Sequence, residues 1–458
     1  MKEHYHFIGI GGSGMGPLAS LMLAKGYRVS GSDMKDNPTI AKLKDQGAHI
    51  IIGHNAKNIT DPQYVVYSSA ITPENPEMVE AKSKNIPILR RAQLLAQLMN
   101  AQIGVAVAGA HGKTTTTSMV SNLLIHAGLN PTTAVGGIVN ATDSQAALGD
   151  GRYFVAEMDE SDGSFLYFYP MHAAITNIDF EHVDYYHNWE NILQAYRCFI
   201  DQVSPQGQVV ICGEDARLLK VAKESGRLFL TYGFYSKFDI HAENATLTHT
   251  ASAFDCYFHK EKIGRIELVI PGRHNILNAL ACVGIGHSLG IDFETMRQSL
   301  SAYRGVQRRF QIKADTNNIM VVDDYGHHPT EIKAVIDTAR LFPGKRLVVV
   351  FQPHRYTRTK FLMDEFAGCL ALADYTVLTD IYAASEKAIE GVSAQKLFDK
   401  IQHGHPGKAV YLKKEEIIRH LLNAVRPGDL VLMLGAGDIN QISEQFVNAL
   451  KEHASSRR

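Results

Sequence analysis

Nowhere in the 458-residue chain is there an apolar run long enough to span a bilayer, which argues against membrane insertion. Nor is there an excess of charge. The 46 Lys and Arg balance 47 Asp and Glu to a net −1, so no electrostatic footprint for nucleic acid is present. The opening Met1-Lys2-Glu3-His4-Tyr5-His6 runs straight into a strand, leaving no room for a signal peptide; a cytoplasmic location is expected. Cysteine is sparse: Cys198, Cys212, Cys256, Cys282 and Cys369 are scattered without a Cys-x-x-Cys pair. That pattern argues against a disulfide framework or zinc site and suits reduced thiols, most of them buried as small hydrophobes. The length suits two to four domains with ample cores.

What is present centres on Val105-Ala106-Val107-Ala108-Gly109-Ala110-His111-Gly112-Lys113-Thr114-Thr115-Thr116-Thr117, a short apolar strand, a glycine turn and a helix from Thr114 to about His126. Glycines let backbone N–H groups approach an anion, and a helix N-terminus adds positive partial charge. Lys113 would reach the β/γ-phosphates of ATP, and the Thr114 hydroxyl would ligate Mg²⁺. The loop is a shortened version, because Val107 stands where the standard spacing has glycine. An ordinary strand–helix connection can also carry Gly-Lys-Thr.

Upstream, Gly9-x-Gly11-x-x-Gly14 follows a strand and precedes a helix through Leu18–Lys25, and a second strand ends at Asp33. That is the dinucleotide fingerprint: a diphosphate on the helix N-terminus and Asp33 on a ribose hydroxyl. The alternative is a tight turn in an α/β fold, and the motif does not say which nucleotide binds. Further strands are expected at His49–His54 and Tyr64–Ser69, and a helix at Arg91–Met99.

Downstream, an apolar strand enters Glu157-Met158-Asp159-Glu160-Ser161-Asp162, and another enters Asp179-Phe180-Glu181-His182-Val183-Asp184. Parallel strands present such ends beside the phosphate loop, so Glu157 and His182 are candidate Mg²⁺ ligands. For at least half of Glu160, Asp162, Asp179 and Asp184, solvated loop acids or helix caps are the expected roles. After a β-rich section to about Ile270, Pro271-Gly272-Arg273-His274-Asn275 opens an amphipathic helix with Asn275 and Asn278 on one face, as ligands or as braces. A third module starts near Gly305, and its alternating strands and helices suggest another parallel sheet. It carries Asp323-Asp324-Tyr325-Gly326-His327-His328-Pro329-Thr330-Glu331 and Phe351-Gln352-Pro353-His354-Arg355-Tyr356-Thr357-Arg358-Thr359. Arg355 and Arg358 could clamp a carboxylate or phosphate. Zinc on His327, His328 and His354 is disfavoured, since adjacent histidines do not easily share one ion.

From Gly9 to Asp438 these strings resemble the Mur ligases, the ATP-dependent amide-forming enzymes of peptidoglycan precursor assembly, and 323–331 with 351–359 look like the alanine-adding branch. The resemblance implies three α/β domains: a Rossmann-like UDP-sugar domain over 1–99, a P-loop ATPase-like domain over 100–306 and a Rossmann-like amino-acid domain over 307–458. It implies UDP-N-acetylmuramate, ATP and L-alanine as substrates, an acyl phosphate intermediate and a pair of Mg²⁺ ions that Mn²⁺ can replace. The state would be monomer or homodimer.

Residue roles follow from the same resemblance. Gly11, Gly12, Ser13, Gly14, Met15, Asp33 and Ser68 would hold the UDP-sugar. Gly109, His111, Gly112, Lys113, Thr114 and Thr115 would cradle ATP phosphates, with His274, Asn275 and Asn278 bordering the nucleotide. Arg309 and Asp324 would reach it from the third domain, Asp324 towards the ribose. Thr114 and Glu157 would hold Mg²⁺, and His182 a second ion. Tyr325, His327, His354, Arg355 and Arg358 would surround alanine, with His327 or His354 taking the amine proton.

Two departures bear on the branch. The family usually has Thr where this chain has Ala110, a small change if the cradle is mostly backbone. No lysine occurs between Lys113 and Lys220, so the carbamylated lysine of the D-glutamate, diaminopimelate/lysine and D-Ala-D-Ala-adding branches is missing. A recycling relative that joins intact tripeptide to the same sugar is the alternative. An NAD-dependent oxidoreductase would leave Gly112-Lys113-Thr114 unexplained, and an ATP-gated binding module would leave Arg355 and Arg358 without a role.

Overall fold

Ile103-Gly104-Val105-Ala106-Val107-Ala108 is apolar on both faces, as a strand in the middle of a parallel sheet must be. In the computed structural model of the chain, which describes residues 2–140, 144–384 and 386–455, it lies at the centre of a ten-stranded sheet. Its parallel neighbours are His172–Ile175 and Tyr153–Glu157. The sheet continues through Gln208–Cys212 and Phe229–Gly233 on one side and Thr132–Val139 on the other. Antiparallel pairing closes both edges, by Ile240–Leu247, Ser252–Phe258 and Glu261–Leu268 at one and Ser144–Ala147 at the other. Successive connections leave the central strand in opposite directions, and its carboxyl end is the switch point where open α/β sheets bind ligands.

The first sheet is five-stranded and parallel, ordered His49–Ile52, Arg28–Asp33, His4–Ile8, Tyr64–Tyr67, Ile88–Arg90. Two of these strands stop at Ile52 and Tyr67, short of the expected ends; Gly53 follows Ile52 with a φ of 96°, which turns the chain out of the ladder. The third sheet has six strands, ordered Gln311–Thr316, Ile319–Asp324, Asp429–Leu434, Arg346–Phe351, Tyr375–Leu378, Ala409–Tyr411. The expectation of a parallel sheet needs one correction: Gln311–Thr316 joins Ile319–Asp324 as an antiparallel hairpin, because only Asn317 and Asn318, both with φ > 0, connect them.

A second correction concerns the helix Arg273–Ser288. It is not amphipathic but enclosed, with every residue from Ala279 to Gly286 buried. It packs against the second sheet and the helix Lys113–His126 at once, so it offers little face to water. The five cysteines are unpaired, and four of them are buried.

One apolar cluster runs from Tyr5 through Leu94, Leu95 and Met99 to Tyr303, so the first two sheets share a core. The third sheet has its own clusters. No helix among the described residues is long and apolar enough to cross a membrane.

The first sheet also buries a polar knot. Period-two alternation turns His4, His6, Ser30 and Ser32 to one face, where Glu77, at 0% exposure, meets them. The Glu77 carboxylate accepts from Ser32 Oγ (2.6 Å), Asn58 Nδ2 (2.7 Å), Asn55 N (3.1 Å) and His6 Nε2 (3.2 Å). Burial pushes its carboxyl up, but the bonds from His6, Ser32 and Asn58 outweigh this and hold it down at about 2. A depressed carboxyl stabilises fully above its ordinary value of 4.5, and the contribution is lost as pH falls through about 2. Glu77→Ala is expected to cost the first sheet about 3–5 kcal/mol, because its donors are left buried without an acceptor. Hydrogen exchange would show this as lost protection in His4–Ile8 and Arg28–Asp33, with the third sheet unaffected.

Candidate active site

The glycine turn after Ala108 is shaped by backbone that only glycine adopts freely. Gly109 and Gly112 have φ of 132° and 81°. The loop is pinned from the neighbouring strand end: His111 N donates to Asn177 Oδ1 (2.8 Å) and Ala110 N to Asn177 O (3.1 Å). Lys113 bends back into the turn and donates to Gly109 O (2.6 Å), Ala110 O (3.0 Å) and Glu160 Oε1 (2.7 Å). Burial opposes its charge, but Glu160 and Glu157 outweigh it and push the ammonium's pKa up. Of the four acids Glu160, Asp162, Asp179 and Asp184, Glu160 is thus one that is neither a solvated loop acid nor a helix cap. Of the other acids, Asp162 caps Ser164 N (3.0 Å), Asp184 is exposed, and Asp179 bonds His111 Nε2 (2.9 Å).

Thr114 Oγ1 donates to Glu157 Oε1 (3.0 Å), and Glu157 Oε2 accepts from Gly136 N (2.6 Å). Register explains the pairing, because Glu157 stands opposite Val107 at the two strand ends. Hydroxyl and carboxylate form an oxygen donor set of the kind Mg²⁺ takes. Nearby, His182 Nε2 lies 3.9 Å from both Glu160 Oε1 and Glu181 Oε2. Glu160 Oε2 is buried without a hydrogen-bond partner, and Glu181 Oε1 has only an ion-pair contact with Arg358 (3.4 Å). Donors left open in this way fit a cation beside His182. The backbone of His182 is left-handed, φ 53°, which swings its ring inwards ahead of the short helix Val183–Tyr186.

Three cavities adjoin along this centre. One of about 430 Å³ is lined by His111, Gly112, Thr115, His274, Asn275, Asn278, Arg309 and Asp324, within the size range of ligand pockets. The Asn pair braces the helix start, Asn278 Nδ2 donating to Asn275 Oδ1 and Asn275 Nδ2 to Pro271 O, and both residues line the cavity. Asp324 accepts from Phe310 N (2.6 Å) and Gly326 N (2.7 Å), and burial lifts its carboxyl to about 6. A second cavity, about 510 Å³, lies between the first two sheets, lined by Gly12, Ser13, Gly14, Met15, Ser68, Arg91 and Lys113. Gly11 and Asp33 are not on its wall; the Asp33 carboxylate instead accepts from Gly11 N (2.9 Å) and braces the glycine turn. The third cavity, about 480 Å³, joins the others and holds Lys113, Thr114, Glu157, Glu160, His182, Arg309, Tyr325, His327, His354, Arg355 and Arg358.

In that central cavity the histidines part company. His327 turns towards His354, with ring centroids 5.6 Å apart, whereas His328 packs on His111 at 4.7 Å. Burial lowers His327 to about 4 and His354 to about 3, with Arg358 adding to both, so each is neutral near pH 7. Arg355 holds an unusual φ of 70°, fixed by its N–H on Tyr382 O (2.8 Å). His111, Asp179 and His328 could also hold a metal ion by donor type. However, His328 Nδ1 already accepts from Thr330 N, and His111 Nε2 already meets Asp179.

Glu181 and Glu331 are given no role by the sequence, and His328 is weighed only as a zinc ligand. Glu331 accepts from His327 N (3.1 Å) and His328 N (3.3 Å), and lies 3.6 Å from Arg309 and 3.5 Å from His111. One signal was available for it, the capping-box spacing from His328 to Glu331 ahead of an apolar helix.

The chain is similar throughout to characterised families. The models "Mur ligase family, catalytic domain", "Mur ligase middle domain" and "Mur ligase, glutamate ligase domain" match residues 4–103, 107–286 and 308–437. The UDP-N-acetylmuramate–L-alanine ligase of Syntrophobacter fumaroxidans is 45% identical, covering 99% of this chain and 97% of that protein. The crystal structure of the UDP-N-acetylmuramate-alanine ligase of Thermotoga maritima superposes with a TM-score of 0.84 at 30% identity, over 98% of this chain and all of that one (100%). A murein peptide ligase from Psychrobacter arcticus gives 0.72 at 25% identity, over 98% of both chains.

The loop geometry yields a direct test. A Cβ at Gly112 would sit 2.6 Å from Asn278 Oδ1, on backbone with φ +81°. The left-handed strain alone is worth about 1–2 kcal/mol, so Gly112→Ala is expected to weaken ADP binding about tenfold or more in a calorimetric titration.

Proposed function

Because the chain belongs to the Mur ligase family, we infer that it joins L-alanine to the lactyl carboxylate of UDP-N-acetylmuramate, with cleavage of ATP to ADP and phosphate, in cytoplasmic peptidoglycan precursor synthesis. The observation that carries this reading is 45% identity across 99% of the chain to a ligase of that name. Joining recycled tripeptide to the same sugar is the second reading, and it rests on the weaker likeness at 25% identity.

In this reading residues 1–99 hold the UDP-sugar, 100–306 the ATP and 307–458 the amino acid. The muramoyl carboxylate attacks the γ-phosphorus of ATP, giving an acyl phosphate and ADP; the alanine amine then attacks the acyl carbon and phosphate leaves. The first step brings two anions together, so neutralising charge is the main task. Thr114 with Glu157, and His182 with Glu160 and Glu181, would hold Mg²⁺, which would supply part of that neutralisation. Lys113 exchanges its loop carbonyls and Glu160 for phosphate oxygens, and Arg309 approaches from the other side. Arg355 and Arg358 take the alanine carboxylate.

The amine must lose a proton, and hydrogen bonding distinguishes the two histidines. His327 Nδ1 faces Tyr325 O (3.0 Å) and therefore donates, leaving the lone pair on Nε2. His354 Nδ1 accepts from Arg358 Nη1 (3.2 Å), which puts its own proton on Nε2. His327 is thus the acceptor, and His354 positions Arg358.

The test is phosphate release with ATP, Mg²⁺ and UDP-N-acetylmuramate, adding L-alanine, D-glutamate or tripeptide in turn. Release dependent on L-alanine, with a product heavier by one alanyl residue, is the expected result; release with tripeptide alone would move the assignment to the second reading. Lys113→Ala is expected to abolish ligation while UDP-sugar binding survives, and an active variant would remove Lys113 from the phosphates. His182→Ala should raise the Mg²⁺ concentration needed for half-maximal rate and slow turnover. An unchanged Mg²⁺ titration would take His182 out of the metal shell.

A further inference from the structure

His111 is a largely enclosed imidazole of the phosphate loop, 11% exposed, whose two nitrogens face carboxylates from different parts of the molecule. Nε2 lies 2.9 Å from Asp179 Oδ2, beyond the strand His172–Ile175, and Nδ1 lies 3.5 Å from Glu331 Oε1, in the first turn of the helix Pro329–Ala339. A neutral imidazole has only one N–H, so both contacts are favourable together only for the doubly protonated ring. The other charged group acting on it is Glu181, with His328 against its face and Arg309 sharing Glu331 with it. Burial disfavours the imidazolium, but Asp179 and Glu331 outweigh it and raise the ring to about 10.

Each carboxylate has a second attachment, to residues of the segment 309–330. Asp179 Oδ2 accepts from Thr330 Oγ1 (2.9 Å), and Glu331 holds the amides of His327 and His328 and faces Arg309. We propose that His111 is a positioning residue coupling the phosphate loop to the third sheet. As a cation shared by Asp179 and Glu331, it fixes the carboxylate that aims Arg309 and the His327–His328 turn, so nucleotide binding and seating of the third domain become one event. The proposal rests on the ligase reading only for the reaction it serves.

The experiment uses the full chain with ADP or a non-hydrolysable ATP analogue and Mg²⁺, following nucleotide affinity by calorimetry and the radius of gyration by small-angle scattering. Wild type is expected to compact on binding the analogue. His111→Gln, which keeps hydrogen bonding without charge, should bind about tenfold more weakly and not compact, a coupling of ordinary size. Glu331→Gln should lose the same response, and the double variant should be no worse than either single one. His111→Lys, which restores the charge, should recover part of the compaction, which a purely structural role would not produce. Thr330→Val removes only the bond to Asp179 and should lose a smaller share; it carries the test if His111→Gln does not fold.

The proposal is overturned if wild type does not compact, if His111→Gln compacts like wild type, or if the double variant's loss is the product of the single losses. No acceptor or turnover is involved. Silence towards L-alanine would therefore count against the proposed reaction alone.

Discussion

A lysine ammonium enclosed behind a glycine turn sets the terms for the centre of this molecule. Lys113 is only 16% exposed, and an ion taken that far from water must find its compensation in the protein. Two loop carbonyls and the Glu160 carboxylate provide it. The compensation carries its own requirement, since Glu160 brings negative charge into a site where Glu157 and Glu181 already stand. The arrangement answers with Arg309, Arg355 and Arg358 on the facing wall of the same cavity. Charges of both signs are thereby held close together on the walls of one cavity.

Strand ends do most of the placing. The second sheet presents the glycine turn before Lys113, Glu157 and the 179–182 segment at adjacent carboxyl ends, and the third sheet presents 325–328 after Ile319–Asp324 and 352–355 after Arg346–Phe351. Where a strand end alone would point a side chain the wrong way, the backbone leaves its ordinary range. His182, Arg308, Phe310 and Arg355 all have positive φ and all lie beside the cavities. Such conformations persist only where neighbouring contacts hold them, as Asp324 holds Phe310 N and Tyr382 holds Arg355 N.

What could be read in the chain beforehand follows from distance along it. The strand, glycine turn and helix around Lys113 were legible because they are contiguous, and the place of Glu157 beside Thr114 because a carboxylate closes an apolar strand. The roles of Glu160 and Asp179 were not, since their partners Lys113 and His111 lie 47 and 68 residues away. Glu331 was hidden for the same reason, although its capping spacing was visible. The helix Arg273–Ser288 was misread because an asparagine pair at i, i+3 marks a face without revealing that the other faces are also covered. The hairpin Thr132–Val139 and Ser144–Ala147 carries no alternating pattern, and Gly136 and Gly137 weaken what strand signal it has.

The continuous core shared by the first two sheets contrasts with the seam to the third, which is built around Asp179 with Thr330, Glu181 with Arg358, and His111 with Glu331. Parting these contacts exposes charged and polar groups. Apolar exposure raises heat capacity and polar exposure lowers it, so opening here changes heat capacity far less than unfolding a sheet does. The balance between a seated and a released third sheet is therefore nearly linear in temperature, while the stability of the joined first and second sheets is steeply curved. A cold or warm cell would alter how firmly the body of the protein is folded well before it altered how often this seam opens.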